Sequence, residues 1–129
     1  MSYKTLEAWK LSKALCVEVY RETRQCKDYG YRDQLTRSAL SIPSNIAEGT
    51  ARISDRETLQ FLSIARGSAA ELETQVLIGQ EIGYINQELA EHWVESIERI
   101  QKLLFGLIKR YRTNLTPQPA TFNPKPPAA

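Results

Sequence analysis

Leu62, Ala65, Ala69, Leu72, Val76 and Gly79 follow one another at steps of three and four residues, and so do Leu89, Trp93, Ile97, Ile100, Leu104, Leu107 and Tyr111. Such a rhythm is that of a helix burying one face. Ala8, Leu11, Leu15 and Val19 make a shorter stripe of the same kind, and Leu35, Ala39, Ile42 and Ile46 make another. Turn signals at Asp28-Tyr29-Gly30, Gly49-Thr50-Ala51 and Gly83-Tyr84-Ile85-Asn86 separate the stripes. The pattern predicts helix one from about Thr5 to about Arg24 and helix two from about Tyr31 to about Glu48. Helix three should open at the capping box Ser54 to Glu57 and close at Gly83, and helix four should follow Asn86 as N-cap. No segment alternates with period two between hairpin turns, so the expected fold is all-α: an up-down-up-down four-helix bundle spanning 1–112. Five of the six prolines lie in the last 13 residues without apolar periodicity, which predicts a Pro-rich disordered tail over 113–129.

Two features complicate this scheme. Helix one has a second stripe, Leu6, Trp9, Cys16 and Tyr20, and Leu103, Phe105 and Ile108 lie beside the main stripe of helix four. These arcs exceed one bundle core, so a lone protomer should expose apolar surface and self-associate. Pro43 falls inside helix two, where it removes a backbone donor and crowds the carbonyl four residues earlier. A kink or a restart near Ile42 is expected there, with Ser41 or Ser44 serving the freed groups.

Composition narrows the class without naming a role. With 42% hydrophobic and 25% charged residues the chain has an ordinary globular balance. It lacks both a membrane-length apolar run and a signal-like start, so it is expected to be cytoplasmic, with no membrane partner and with Cys16 and Cys26 as free thiols. His92 is the only histidine and no Glu-x-x-His precedes it, which argues against a bundle di-metal site. Glu88, Glu91, Glu95 and Glu98 read as a solvated face, and no glycine pattern suits a nucleotide phosphate. No catalytic, metal or cofactor residues are assigned, and no enzyme activity is expected. The polar stripe Arg37, Ser41, Asn45 and Glu48 beside Pro43 reads as satisfaction of local backbone or a polar helix contact in preference to a ligand site.

Ser41 to Gly49, reading Ser-Ile-Pro-Ser-Asn-Ile-Ala-Glu-Gly after Gln34, Leu35 and Arg37, is a distinctive run. With Tyr3-Lys4, Leu6, Trp9, Val19-Tyr20, Phe61-Leu62, Ile64-Ala65, Gly67-Ser68, Glu71-Leu72-Glu73 and Gly83-Tyr84, it resembles the four-helix proteins associated with intervening sequences in bacterial 23S ribosomal RNA genes. The link Cys26 to Gly30 departs from that pattern, being shorter and without a Phe-Pro pair. The resemblance implies a four-helix protomer, a ring-like homopentamer and no enzymatic activity. The chain is also similar to accessory proteins of diversity-generating retroelements, which implies nucleic acid, DNA or RNA, as a partner, with a protein partner as a further expectation.

The formal net charge is only +2, yet its distribution along an up-down-up-down bundle is uneven. One end should gather Lys4, Lys10, Arg52, Arg56, Lys102, Lys109, Arg110 and Arg112 against Glu7, Glu48, Asp55 and Glu57. The other should gather Arg21, Arg24, Lys27 and Arg32 against seven carboxylates. Those eight basic residues are the candidate nucleic-acid contacts, since a cationic end attracts phosphates without reading bases. The alternative is a structural homo-oligomeric scaffold that binds no nucleic acid, in which Lys109, Arg110 and Arg112 merely complement a helix C-terminus.

Overall fold

The computed structural model describes residues 2–115; the tail assigned from sequence lies outside them apart from its first three residues. A single-turn 3-10 helix, Tyr3–Thr5, leads into α1 (Glu7–Glu22), α2 (Tyr29–Thr50), α3 (Asp55–Glu81) and α4 (Gln87–Asn114). There is no strand among the described residues. At 28 residues α4 is about 42 Å long at 1.5 Å per residue. It runs two residues beyond the boundary expected at 112.

Helix ends follow local chemistry. Asp28 caps α2 by accepting from the Tyr31 amide at 3.1 Å, and Asn86 caps α4 by accepting from the Leu89 amide at 2.8 Å. The Ser54 hydroxyl accepts from the amides of Arg56 and Glu57 at 3.2 and 3.3 Å, which is the serine half of the expected capping box. Gly83 takes φ +86° just past α3, and the Tyr84 amide bonds back to the Gly79 carbonyl at 2.8 Å. This left-handed closure is the one expected of a glycine after a helix.

Helix two differs from expectation. It begins two residues earlier, ends two residues later and is helical straight through Pro43, with no restart at Ile42. Pro43 is buried against the core, which favours continuing the helix over exposing that face. The Ser41 hydroxyl does not turn to the backbone. It lies 2.7 Å from the Ser68 hydroxyl across the bundle and accepts from the Asn45 amide group at 2.9 Å, while that same group donates to the Ser41 carbonyl at 2.8 Å. Half of the polar stripe is thus a structural contact between α2 and α3.

Neighbours in sequence are neighbours in space, and α1 closes the bundle against α4, leaving α1 and α3 on one diagonal and α2 and α4 on the other. The core holds the predicted stripes: Leu15, Val19, Leu35, Ile42, Ile46, Leu62, Leu72, Val76, Trp93, Ile97, Ile100 and Leu104 are all buried. The second stripe of α1 is only partly covered, Cys16 being buried, Leu6 and Trp9 half-buried and Tyr20 exposed. Beside the α4 stripe, Ile108 is buried, Leu103 half-buried and Phe105 exposed. Both cysteines are free thiols, and burial raises the pKa of Cys16.

Candidate nucleic-acid interface

Antiparallel packing brings the start of α1, the α2–α3 turn and the end of α4 to one end of the bundle. Leu6, Glu7 and Ala8 share a cleft of about 300 Å³ with Lys102, Leu103, Gly106, Leu107 and Arg110, so the first turn of α1 and the last turns of α4 are in contact. All eight candidate basic residues are solvent-exposed. They do not form one uniform patch.

Arg52 is engaged within the protomer. Its guanidinium pairs with Glu48 four residues back and lies over the Phe61 ring, 4.7 Å from the centroid. Arg56 stands in the first turn of α3 between Asp55 and Glu57, whose charges suit a helix N-terminus. The α2–α3 corner is therefore close to charge balance. Lys10 lies on the outer face of α1, lining a shallow cleft with Lys13 and Arg21. Arg110 faces the α1–α4 cleft together with Glu7. The cationic character concentrates on α4, where Lys102, Lys109 and Arg112 fall on one arc of the helix and Arg110 beside it.

Phe105 belongs to that arc. Spaced three residues after Lys102, four before Lys109 and seven before Arg112, it is 53% exposed. Its spacing was readable in the sequence, where it counted only as apolar surface for assembly. An exposed aromatic ring among lysines and arginines can stack a base while the cations hold the neighbouring phosphates. Lys13 was also missed. Its ammonium sits 5.3 Å from the centre of the Trp9 ring, which itself packs edge-on against Tyr3.

The opposite end is built differently. The Tyr84 hydroxyl donates to Asp28 at 2.8 Å, and the Tyr31 hydroxyl donates to the Gln75 carbonyl at 2.6 Å. The hydrogen bonds from the Tyr31 amide and Tyr84 hold the Asp28 carboxyl below its ordinary pKa, while burial pushes the Tyr31 phenol up to about 12. Next to this network lies a cleft of about 420 Å³ that includes Cys26 and Lys27. His92 lies on α4 beside Glu18 of α1, at 3.3 Å. Among the described residues no three histidine, cysteine or acidic side chains cluster so as to hold a metal ion, and no helix is long and apolar enough to cross a membrane.

A family profile described as 23S rRNA-intervening sequence protein matches residues 4–106. The chain belongs to that family. The match takes in α1, α2 and α3 and stops at Gly106 inside α4, so Lys109, Arg110 and Arg112 lie beyond it. A crystal structure of a protein of unknown function, from the S23 ribosomal protein family in Bacteroides thetaiotaomicron VPI-5482, is similar at 27% identity and a TM-score of 0.74. The similarity covers 79% of this chain and 98% of that one, so the family bundle is common to both. No curated protein matches the chain.

Proposed function

We propose that this protein is a non-enzymatic, self-assembling cytoplasmic bundle that binds DNA or RNA through the C-terminal turns of α4, as an accessory to a nucleic-acid or ribonucleoprotein process. The observation that carries the reading is the exposed arc of Lys102, Phe105, Lys109 and Arg112, with Arg110 beside it. Its cations suit a phosphate backbone and its aromatic ring suits an unstacked base, which favours single strands. The family description, which names an intervening sequence of ribosomal RNA, is in keeping with a nucleic-acid setting. Assembly as a ring, with five copies as the expectation from resemblance, would repeat this arc around one face and multiply its field.

A gel-shift series with single-stranded RNA and DNA at rising salt tests this. Retention should weaken steeply with salt, fall when Lys109, Arg110 and Arg112 are all replaced by glutamine, and fall with less change in salt slope for Phe105→Ala. No retention by the native protein near 50 mM salt, a condition at which phosphate contacts are strong, would leave the scaffold reading in its place. That second reading draws on a separate observation: Val17, Tyr20, Leu40, Ile64, Leu77, Ile78 and Ile82 are all substantially exposed in the protomer.

A further inference from the structure

Two faces of the protomer carry opposite charge around exposed apolar centres. On the outside of α1, Lys10, Lys13 and Arg21 surround Val17, which is 40% exposed; Glu18 lines the same cleft, with its carboxylate turned to Trp93 and His92 of α4. Along the groove between α3 and α4, Glu91, Glu95 and Glu98 surround Leu77, which is 44% exposed, and the half-buried Val94. Both faces are shallow clefts of a few hundred Å³, about 440 Å³ on α1 and about 280 Å³ on the groove.

Their heights along the bundle also agree. Glu18 of α1 is level with His92 and Trp93 of α4, and Leu11 and Ala14 share a cleft with Ser96 and Arg99. Because the helices are antiparallel, each step down α1 matches one step up α4. Arg21 is then level with the turn bearing Glu91, Val17 with Val94, and Lys13 with Glu98. An apolar centre flanked on each side by a cation is opposed, height for height, by an apolar centre flanked on each side by an anion.

Resting on the self-assembly reading above, we infer that the outer face of α1 in one copy seats in the α3–α4 groove of the next. The contact is head-to-tail, since the two surfaces differ. Equal height means that neighbouring copies are related by rotation about an axis along the bundle, without translation, and this geometry closes a ring instead of extending a filament. Complementary charges fix the register and exclude other pairings more than they add affinity. Below Lys13 the match stops, because Lys10 is level with the region of Lys102 and like charges meet. The contact therefore occupies the upper half of the bundle and leaves the cationic end of α4 open to a nucleic acid.

Charge reversal tests the pairing on the full chain, with mass read by sedimentation equilibrium at micromolar concentration and folding by circular dichroism. The variants K13E/R21E and E91K/E98K alter exposed side chains only. Each should retain its helical signal and fall to the 14.7 kDa protomer, whereas K13E/R21E/E91K/E98K, with both faces reversed, should recover the native mass. Native mass in both double variants, or no recovery in the quadruple one, overturns the pairing while self-assembly stands. A native protein already at 14.7 kDa removes the self-assembly reading itself, and this pairing with it.

Discussion

Where α2 meets α3, side-chain hydrogen bonds are spread along the whole contact: Tyr31 to the Gln75 carbonyl, Ser38 to the Gln75 side chain, Ser41 with Ser68, and Thr58 to the Gly49 carbonyl, all within 2.7 Å. Where α1 meets α4, both described polar contacts end on one residue, Glu18, which accepts from the Trp93 indole at 2.9 Å and lies 3.3 Å from His92. Small residues let α2 and α3 approach closely. A Cβ built at Gly79 would stand 2.0 Å from the Tyr31 hydroxyl, and one at Gly49 would stand 2.8 Å from the Phe61 Cβ. Two clefts instead open along the α1–α4 seam, and a Cβ at Gly106 would meet nothing within 4 Å. One seam is thus closed by proximity and distributed polar pairing, the other by a few large apolar side chains that leave space around them.

The sharpest way to break the open seam is Trp93→Ala. The ring is fully buried and supplies the only hydrogen bond described from the α4 core stripe to α1. Truncating a buried tryptophan costs about 3 to 5 kcal/mol through lost transfer energy and the cavity left behind. Urea unfolding followed by circular dichroism should register that loss, and a change under about 0.5 kcal/mol would show that Trp93 does not anchor the seam.

The closed seam should respond to an added methyl group instead of a removed ring. Gly79→Ala places its Cβ against Tyr31, whose ring packs edge-on against Tyr84, and within 2.9 Å of Ile85 in the turn that Gly83 makes possible. Overpacking of this kind costs about 1 to 3 kcal/mol, because Tyr31 must leave Gln75 or the helices must separate. Tyr31→Phe should recover part of the loss when combined with Gly79→Ala, since it deletes the atom in closest conflict. Equal stability of the native protein and Gly79→Ala in urea would mean that the approach is looser than 2.0 Å implies.

Much of this contrast is invisible in the sequence. The stripes of α3 and α4 are legible because a single period runs from Leu62 to Gly79 in one and from Leu89 to Tyr111 in the other, and nearly every position they name is buried. Gly83 and Asn86 are legible for the same reason, as each performs a task that few other residues perform well. Pro43 misleads because its local cost is outweighed by burial, which depends on partners distant in sequence. The stripe of Ser41 and Asn45 is readable as polar, but its partner Ser68 is 27 residues away from Ser41 and is chosen by the pairing of helices. At the candidate interface, counting charges by bundle end brings the right helix termini together. It cannot register that Arg52 is occupied by Glu48 and Phe61, or that Phe105 points outward among the cations of α4.

The same glycine-to-alanine change should have the opposite sign on the open seam. Gly106 lies in the interior of α4, is exposed, and has no neighbour that an added Cβ would reach. Glycine there costs the helix backbone entropy that alanine does not, so Gly106→Ala should stabilise the protomer by about 0.5 to 1 kcal/mol. The comparison with Gly79→Ala is direct, because both substitutions add one methyl group within a long helix and differ only in what surrounds it. Urea midpoints measured on the two variants should therefore move in opposite directions from that of the native protein. A loss of stability in Gly106→Ala would mean that the cleft formed by Leu6, Leu103 and Leu107 is filled in solution, and that the space beside α4 belongs to an assembled contact.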